Sequence, residues 1–174
     1  MSTITFEESG MQFGPFDAAH VFEIEKFTHK KCPLSKCVEF LLFKDSKAIF
    51  LEAKSSAPQG KDELNNDYLP SIVNKFSDSL HVVASNHMKV LSVNDPLLAP
   101  LNARKWEQVS ICLYVVIKGM SKEGLRDLQD KFNAYVPLKK LRKVWSPQRT
   151  DWIKVINDVK ARDMGLITSG NDIK

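Results

Sequence analysis

The sequence lacks the patterns that identify several common classes of protein. Its three cysteines, Cys32, Cys37 and Cys112, are an odd number, and the gap between the first two is not a paired zinc-ligand spacing. We therefore expect thiols, neither disulfides nor zinc ligands. The four histidines are scattered, and the chain has no Gly-rich phosphate loop and no Ser-His-Asp order. No motif therefore supports a zinc module, a P-loop nucleotide hydrolase or a serine hydrolase.

Long apolar runs are also absent. No stretch approaches the roughly 18 apolar residues of a membrane helix, and the first residues lack the basic-then-apolar pattern of a signal peptide. We expect no membrane association and a cytoplasmic location. The 174 residues, 43% hydrophobic and 26% charged, are typical of one globular domain with a sizeable core. We predict a single domain over 1–174.

Arginine is missing from the first half of the chain, and charge is unevenly distributed. Residues 1–87 hold 9 Lys against 12 Asp and Glu, a net charge of −3, whereas residues 88–174 hold 16 Lys and Arg against 9 acids, a net charge of +7. A basic half suits a polyanionic partner, although ordinary solvated helix faces produce the same asymmetry. Charge alone therefore leaves both interpretations open.

Hydrophobic periodicity predicts a mixture of strands and helices. Apolar residues from Tyr68 to Val83 recur at three- and four-residue steps, which indicates a helix, and the β-branched run from Val109 to Lys118 indicates a strand. The predicted order begins with an edge segment and turn (1–19), a strand (20–27), and two further strands (38–43 and 47–55). A helix (68–87), a loop (88–107) and a strand (109–118) follow. Three helices complete the chain: one begins at 121, the second follows Pro137, and the third covers 152–159. Gly165 is placed to cap the last helix.

The stretch 37–59 carries the strongest functional signal. Two apolar runs flank Lys44-Asp45-Ser46-Lys47, which predicts a β-hairpin with Asp45 and Ser46 as its turn. Counting back from the turn sets Glu39 opposite Glu52. Directly opposed like charges are destabilising, so this pair needs a compensating cation, which a divalent metal or Lys54 on the same strand face would provide.

This arrangement resembles the PD-(D/E)xK nuclease superfamily, the fold of type II restriction endonucleases. The resemblance covers roughly residues 20–118 and rests on Glu39 and on Glu52-Ala53-Lys54. It implies an α/β (α+β) protein with a mixed central sheet of about four strands flanked by helices, here extended by a C-terminal helical part over about 121–165. It also implies a nuclease that hydrolyses phosphodiester bonds of DNA and uses Mg²⁺ or Mn²⁺.

The same resemblance assigns roles to individual residues. Glu39 and Glu52 would be metal ligands, the Ala53 backbone carbonyl a further ligand, and Lys54 the residue that activates the attacking water. The family often adds an acid from the first helix, and Glu25 is the nearest candidate, although the pattern around it predicts a strand. The sequence departs from the family pattern at Glu39, where Asp is usual, and no Pro precedes it.

The remaining expectations concern partners. Nucleic acid, most readily DNA, would contact Lys139, Lys140, Arg142 and Lys143, with specificity supplied by these helices, by a homodimer or by a partner protein. Trp145 among these cations would either stack on a base or face the core, as amphipathic helices usually arrange it. Two alternatives stay open: a catalytically inactive member of the same fold that binds nucleic acid or protein, and an unrelated α/β interaction domain.

Overall fold

The computed structural model describes residues 2–31, 33–91, 95–149 and 151–168. These residues include seven strands: β1 (Thr3–Glu8), β2 (Met11–Asp17), β3 (Val21–Phe22), β4 (Phe40–Lys44), β5 (Lys47–Lys54), β6 (Ser110–Ile117) and β7 (Ile153–Asn157). The helices are α1 (Ile24–Lys31), α2 (Lys61–Glu63), α3 (Leu69–His87), α4 (Ala99–Asn102), α5 (Lys122–Ala134), α6 (Val136–Trp145) and α7 (Asp158–Asp163). A π-helical turn, Leu64–Tyr68, joins α2 to α3.

A five-stranded mixed sheet in the order β3-β4-β5-β6-β7 forms the centre of the protein. Strands β3, β4 and β5 pair antiparallel, whereas β5, β6 and β7 pair parallel. Strand β5 is buried on both faces along almost its whole length, as its continuous apolar run predicts. The protein is therefore a mixed α/β fold, and β5 lies at the middle of its sheet.

The two faces of the sheet are covered differently. On one face, Phe50 and Val115 pack in a cluster with residues of α3, α5 and α6. On the other face, Leu51 and Tyr114 pack against residues of β2 and of the C-terminal stretch around α7. Side chains alternate along a strand, so Glu52 and Lys54 project from the same face as Phe50, toward α3. No helix among the described residues is long and apolar enough to cross a membrane.

Several predicted elements have the expected bounds. The hairpin turn has Asp45 and Ser46 at φ +50° and +56°, and Lys44 pairs with Lys47 as predicted. These left-handed backbone angles are those that a two-residue hairpin turn requires. The long helix α3 and the strand β6 also lie where periodicity places them. Gly165, at φ +64°, follows α7, and its N–H donates to Arg162 O at 2.9 Å.

Three predictions about elements were wrong. Residues 20–27 were predicted as a strand, but only Val21–Phe22 is extended, and α1 begins at Ile24. Residues 152–159 were predicted as a helix, but Ile153–Asn157 is strand β7, so the sheet has five strands where about four were expected. Thr3–Asp17 forms a complete hairpin, where only an edge segment and turn were predicted over 1–19. Cys112 is a buried thiol, and Cys32 lies outside the described residues.

Candidate functional site

Four glutamates from four different segments converge at the C-terminal end of β5. Glu8 ends β1, Glu25 lies in the first turn of α1, Glu39 directly precedes β4, and Glu52 lies in β5. Carboxylate oxygens of Glu8, Glu25 and Glu39 lie within 4.8 Å of one another. Glu52 joins this group through Lys75, which contacts both Glu39 and Glu52. The site is therefore assembled from distant parts of the sequence around one strand end.

The hairpin brings Glu39 close to Glu52, but the strand pairing ends one residue short of them. Phe40 pairs with Leu51, and the Glu39 N–H also donates to Leu51 O at 3.1 Å, which is the pattern of a bulge and not of a direct Glu39–Glu52 pair. The side chain of Glu39 is 10% exposed and that of Glu52 is 0% exposed. The two carboxylates thus lie near each other where little water can separate their charges.

Two lysines neutralise Glu52. Lys54 Nζ lies 2.8 Å from Glu52 Oε1. Lys75 Nζ lies 2.9 Å from the same oxygen, 3.1 Å from Glu52 Oε2 and 3.5 Å from Glu39 Oε1. Lys75 therefore provides a cation between the two carboxylates. Lys54, 29% exposed against 16% for Lys75, is the more accessible of the two amines.

Lys75 is a residue of the candidate site that the sequence prediction missed. It lies on the sheet-facing side of α3, one turn beyond the buried Ile72 and one turn before the buried Ser79. A lysine at helical spacing between buried positions either extends its amine to solvent or pairs with an acid near the core, and this spacing was the signal available in the sequence. The identity of the partners required the three-dimensional structure, because Glu39 and Glu52 are distant along the chain.

Helix α3 also fixes the segment that leads into Glu39. The Lys36 N–H donates to Asp78 Oδ2 at 3.0 Å, and the Val38 N–H donates to Ser79 Oγ at 3.0 Å. The Ser79 hydroxyl in turn donates to Lys75 O at 2.7 Å. One helix thus positions both Lys75 and the backbone before Glu39, so the relative placement of these two side chains is set by the fold.

Glu8 is the second residue that the sequence prediction missed. It lies at the tip of the β1–β2 hairpin, whose turn residues Ser9 and Gly10 adopt φ +53° and +69°. The Lys118 side chain donates to Gly10 O at 2.9 Å, and the Lys118 N–H donates to Lys54 O at 3.0 Å. This contact attaches the hairpin tip beside Lys54 and brings Glu8 to the other acids.

Glu25 and Ala53 were both predicted as metal ligands. Glu25 lies on α1, so the prediction that it belongs to a strand was wrong. Its carboxylate nevertheless lies close to that of Glu39. The physical reason is that Ile24, Phe27 and Thr28 are all buried, a three- and four-residue spacing that favours a helix. Ala53 is buried in β5, and strand alternation turns its carbonyl toward the same side as that of Leu51, which accepts from Glu39.

Crowding of the acids changes their protonation. Burial, followed by the charge of Glu52, raises the pKa of Glu39 from 4.5 to about 8, and a side-chain hydrogen bond with Glu25 acts in the same direction. Burial and then Glu25 raise the pKa of Glu8. Burial, the largest single influence, lowers the pKa of Lys75, but the charge and hydrogen bond of Glu52 together with the charges of Glu39 and Glu25 outweigh it, and the pKa of this amine is raised. The site therefore combines a firmly charged lysine with carboxyls that hold protons.

Tyr68 adds a polar group that has no protein partner. Its hydroxyl is buried, and no donor or acceptor of the described residues bonds to it. Burial and then the charge of Glu52 raise its pKa, so the hydroxyl stays protonated. Tyr68 ends the π-helical turn before α3, and such turns often occur at functional sites.

The Glu39→Gln variant is expected to be more stable than the natural protein at pH 8. Between pH 4.5, where an ordinary glutamate ionises, and about 8, the folded protein alone keeps the Glu39 proton, so stability falls as pH rises through this window. Glutamine removes that loss. Because solvent screens part of the effect, we expect the variant to have a free energy of unfolding about 1–2 kcal/mol higher than the natural protein at pH 8, and little different from it at pH 5.

Thermal melts of the two proteins across this pH range measure the effect, about 3–6 °C at pH 8. The matched control is Glu107→Gln, an exposed acid on a short turn. A Glu39→Gln protein that gains nothing between pH 5 and pH 8 would contradict the prediction.

The basic residues predicted to bind nucleic acid lie on α6, apart from the four acids. Lys139, Lys140 and Lys143 are exposed and Arg142 is half-buried. Trp145, at the end of α6, is half-buried beside Ile111 at the start of β6, whereas Glu52 lies level with Val115, nearer the end of that strand. The structure thus brings Glu8, Glu25, Glu39, Glu52, Lys54 and Lys75 together and leaves the α6 cations as a separate surface.

Comparisons of the chain with protein-family models, with curated proteins and with solved structures found no match. Inferences about function therefore depend on the site itself.

Proposed function

We propose that the protein is a metal-dependent nuclease that hydrolyses phosphodiester bonds of DNA, built on a restriction-endonuclease-like fold. The observation that carries this proposal is the fully buried Glu52, held by two lysines, beside three further carboxylates at one strand end. Once all four carboxyls are ionised, they and the two lysines would carry a net charge of −2, which a single divalent cation would balance. Without such a cation, Glu39 keeps its proton at neutral pH, since its pKa is raised to about 8.

The residues fit a hard divalent cation. Carboxylate oxygens are the ligands that Mg²⁺ prefers, and oxygens on opposite sides of one Mg²⁺ lie about 4.2 Å apart. The oxygens of Glu8, Glu25 and Glu39, within 4.8 Å of one another, would need only small side-chain adjustments. Glu25 and Glu39, with Glu8 beside them, would hold Mg²⁺ or Mn²⁺, and Glu52 and the Ala53 carbonyl would join them where Lys75 gives way to the cation. The bound cation would lower the pKa of a water and stabilise charge on the phosphate.

The position of Glu25 adds to the resemblance with PD-(D/E)xK nucleases. Members of that family often supply an upstream acid from the first helix, and Glu25 begins α1. Lys54 follows Glu52 by two residues, so both side chains project from the same face of β5. With its amine partly exposed, Lys54 would orient the attacking water and offset the charge of the scissile phosphate.

Purified protein is expected to nick or degrade DNA with Mg²⁺ or Mn²⁺ and to stop when the metal is chelated. In the absence of DNA, Mn²⁺ at about 100 times its Kd should stabilise the fold by about 2.7 kcal/mol. That stabilisation corresponds to a rise in Tm of roughly 5–10 °C. Gel assays of cleavage and thermal melts with increasing Mn²⁺ measure the two effects.

Glu25 and Glu23 provide a matched pair of variants. Glu25→Gln should lose most of the Mn²⁺ stabilisation, whereas Glu23→Gln should keep it, because Glu23 forms an ion pair with Lys26 instead. Equal responses of the two variants, or no cleavage of any DNA or RNA by the natural protein, would overturn the proposal.

A second candidate function is a non-catalytic module of the same fold that binds nucleic acid or protein. The observation that favours it is Lys75, whose amine already provides a cation between Glu39 and Glu52. In that case Mn²⁺ would leave the Tm unchanged, and the same melts distinguish the two candidates.

A further inference from the structure

A small pocket between α5, α6 and β7 is lined by donors of hydrogen bonds. Its volume is about 250 Å³, and its polar lining consists of Asn133, Lys139 and Arg142, with Phe132 and Trp152 among the apolar residues. None of the described residues that line it is acidic. Lys139 and Arg142 form no ion pair with any carboxylate in the described ranges, so their charges are available to an external anion.

Hydrogen bonds within the fold fix the orientation of Asn133. The Val155 N–H donates to Gln129 Oε1 at 2.8 Å, which leaves Gln129 Nε2 to donate to Ile153 O at 3.3 Å and to Asn133 Oδ1 at 3.2 Å. A backbone N–H can only donate, so this chain of bonds determines which end of each amide faces which partner. The Asn133 amide nitrogen therefore remains as a donor beside the two cations.

The geometry points to a phosphate-binding pocket, formed by Asn133, Lys139 and Arg142, that takes a backbone phosphate of a nucleic acid. A guanidinium, an ammonium and an amide nitrogen together offer several donors and no acceptor, the pattern that suits an anion with several oxygens. Lys140 and Lys143, on the same helix, do not line the pocket. The structure thus separates the four cations of α6 into two that share a pocket and two that do not.

The location suits a strand that also reaches the four acids. Phe132, Leu138 and Trp152 of the pocket belong to the same apolar cluster as Phe50, so the pocket lies on the face of the sheet from which Glu52 projects. Strands β5 and β7 are separated by β6 alone, so their axes lie on the order of 10 Å apart. The identification of the anion as nucleic acid rests on the proposed function.

Binding of a short labelled DNA duplex, measured by fluorescence anisotropy with the metal chelated, tests the pocket without cleavage. Arg142→Gln is expected to weaken binding about tenfold, the loss of a charge-assisted contact. It should also make the salt dependence of log K shallower by about one. Lys139→Gln should act in the same direction. Arg126→Gln is the matched control, since Arg126 is exposed on α5 outside the pocket.

Arg142→Lys provides a second variant that keeps the charge but loses the two-pronged contact, and it should lie between the natural protein and Arg142→Gln. Equal binding by Arg142→Gln and Arg126→Gln, or a natural protein that binds anionic vesicles but not DNA, would overturn the inference. Loss of binding in Arg142→Gln without any cleavage by the natural protein would support the pocket and overturn the proposed nuclease. Cleavage by the natural protein, together with unchanged DNA binding by Arg142→Gln, would support the proposed nuclease and overturn the pocket.

Discussion

Replacing Lys54 with alanine is expected to lower the rate of metal-dependent DNA cleavage by about 10²–10⁴-fold, the range for a positioned group that assists proton transfer. The amine of Lys54 contacts Glu52 Oε1 at 2.8 Å and is more exposed than that of Lys75. Of the two lysines at the site, Lys54 is therefore the more accessible to the phosphate of the proposed reaction. Single-turnover cleavage of a labelled duplex measures the rate.

The fold of the Lys54→Ala protein should remain intact. Lys75 still contacts both oxygens of Glu52, and the partly exposed contact made by Lys54 is worth about 1 kcal/mol or less. We therefore expect the Tm to fall by no more than about 2–4 °C. Lys47→Ala, at the opposite end of β5, is the control and should cleave at the natural rate. Full activity in the Lys54→Ala protein would show that Lys54 is not catalytic.

The hairpin of β4 and β5 could be predicted because its determinants are local. A two-residue turn fixes which residues pair, so Lys44 and Lys47 set a register that continues to Phe40 and Leu51, the neighbours of Glu39 and Glu52. Helix α3 was predictable for a similar reason, since its apolar residues repeat over five turns. In both cases the pattern is long enough, or the turn specific enough, to exclude the other type of element.

Strand β7 could not be predicted because its pattern fits two structures. Trp152, Ile153, Val155 and Ile156 satisfy both a short amphipathic helix and a half-buried strand. The choice is made by β6, which pairs Leu113 with Ile153 and Val115 with Val155. Such pairing depends on a strand forty residues earlier in the chain. Short apolar runs therefore remain ambiguous until their neighbours in space are known.

The membership of the candidate site depended even more on distant contacts. Glu39, Glu52 and Lys54 lie within one hairpin, and sequence reasoning identified them. Glu8 and Lys75 lie on elements that reach the site only through tertiary packing, by the contact of Lys118 with Gly10 and by the burial of α3 against the sheet. The local sequence motif thus located the site at the end of β5, whereas Glu8 and Lys75, which change the net charge of the site, became evident only from the fold.

Glu52→Ala is expected to lower the free energy of unfolding by about 3–5 kcal/mol, because it leaves Lys75 partly buried without its main partner. The corresponding fall in Tm is roughly 10 °C or more. Denaturant unfolding measures the free energy. Glu107→Ala, the exposed control, should change it by less than about 0.5 kcal/mol.

A double variant tests whether this loss arises from the unpaired charge. Glu52→Met combined with Lys75→Met replaces the ion pair with apolar side chains, and such replacements of buried pairs are often neutral or stabilising. We therefore expect the double variant to be more stable than the two single variants predict by addition, with a coupling of about 0.5–3 kcal/mol. Strict additivity would mean that Lys75 does not stabilise Glu52, and that Lys54 alone neutralises this buried carboxylate.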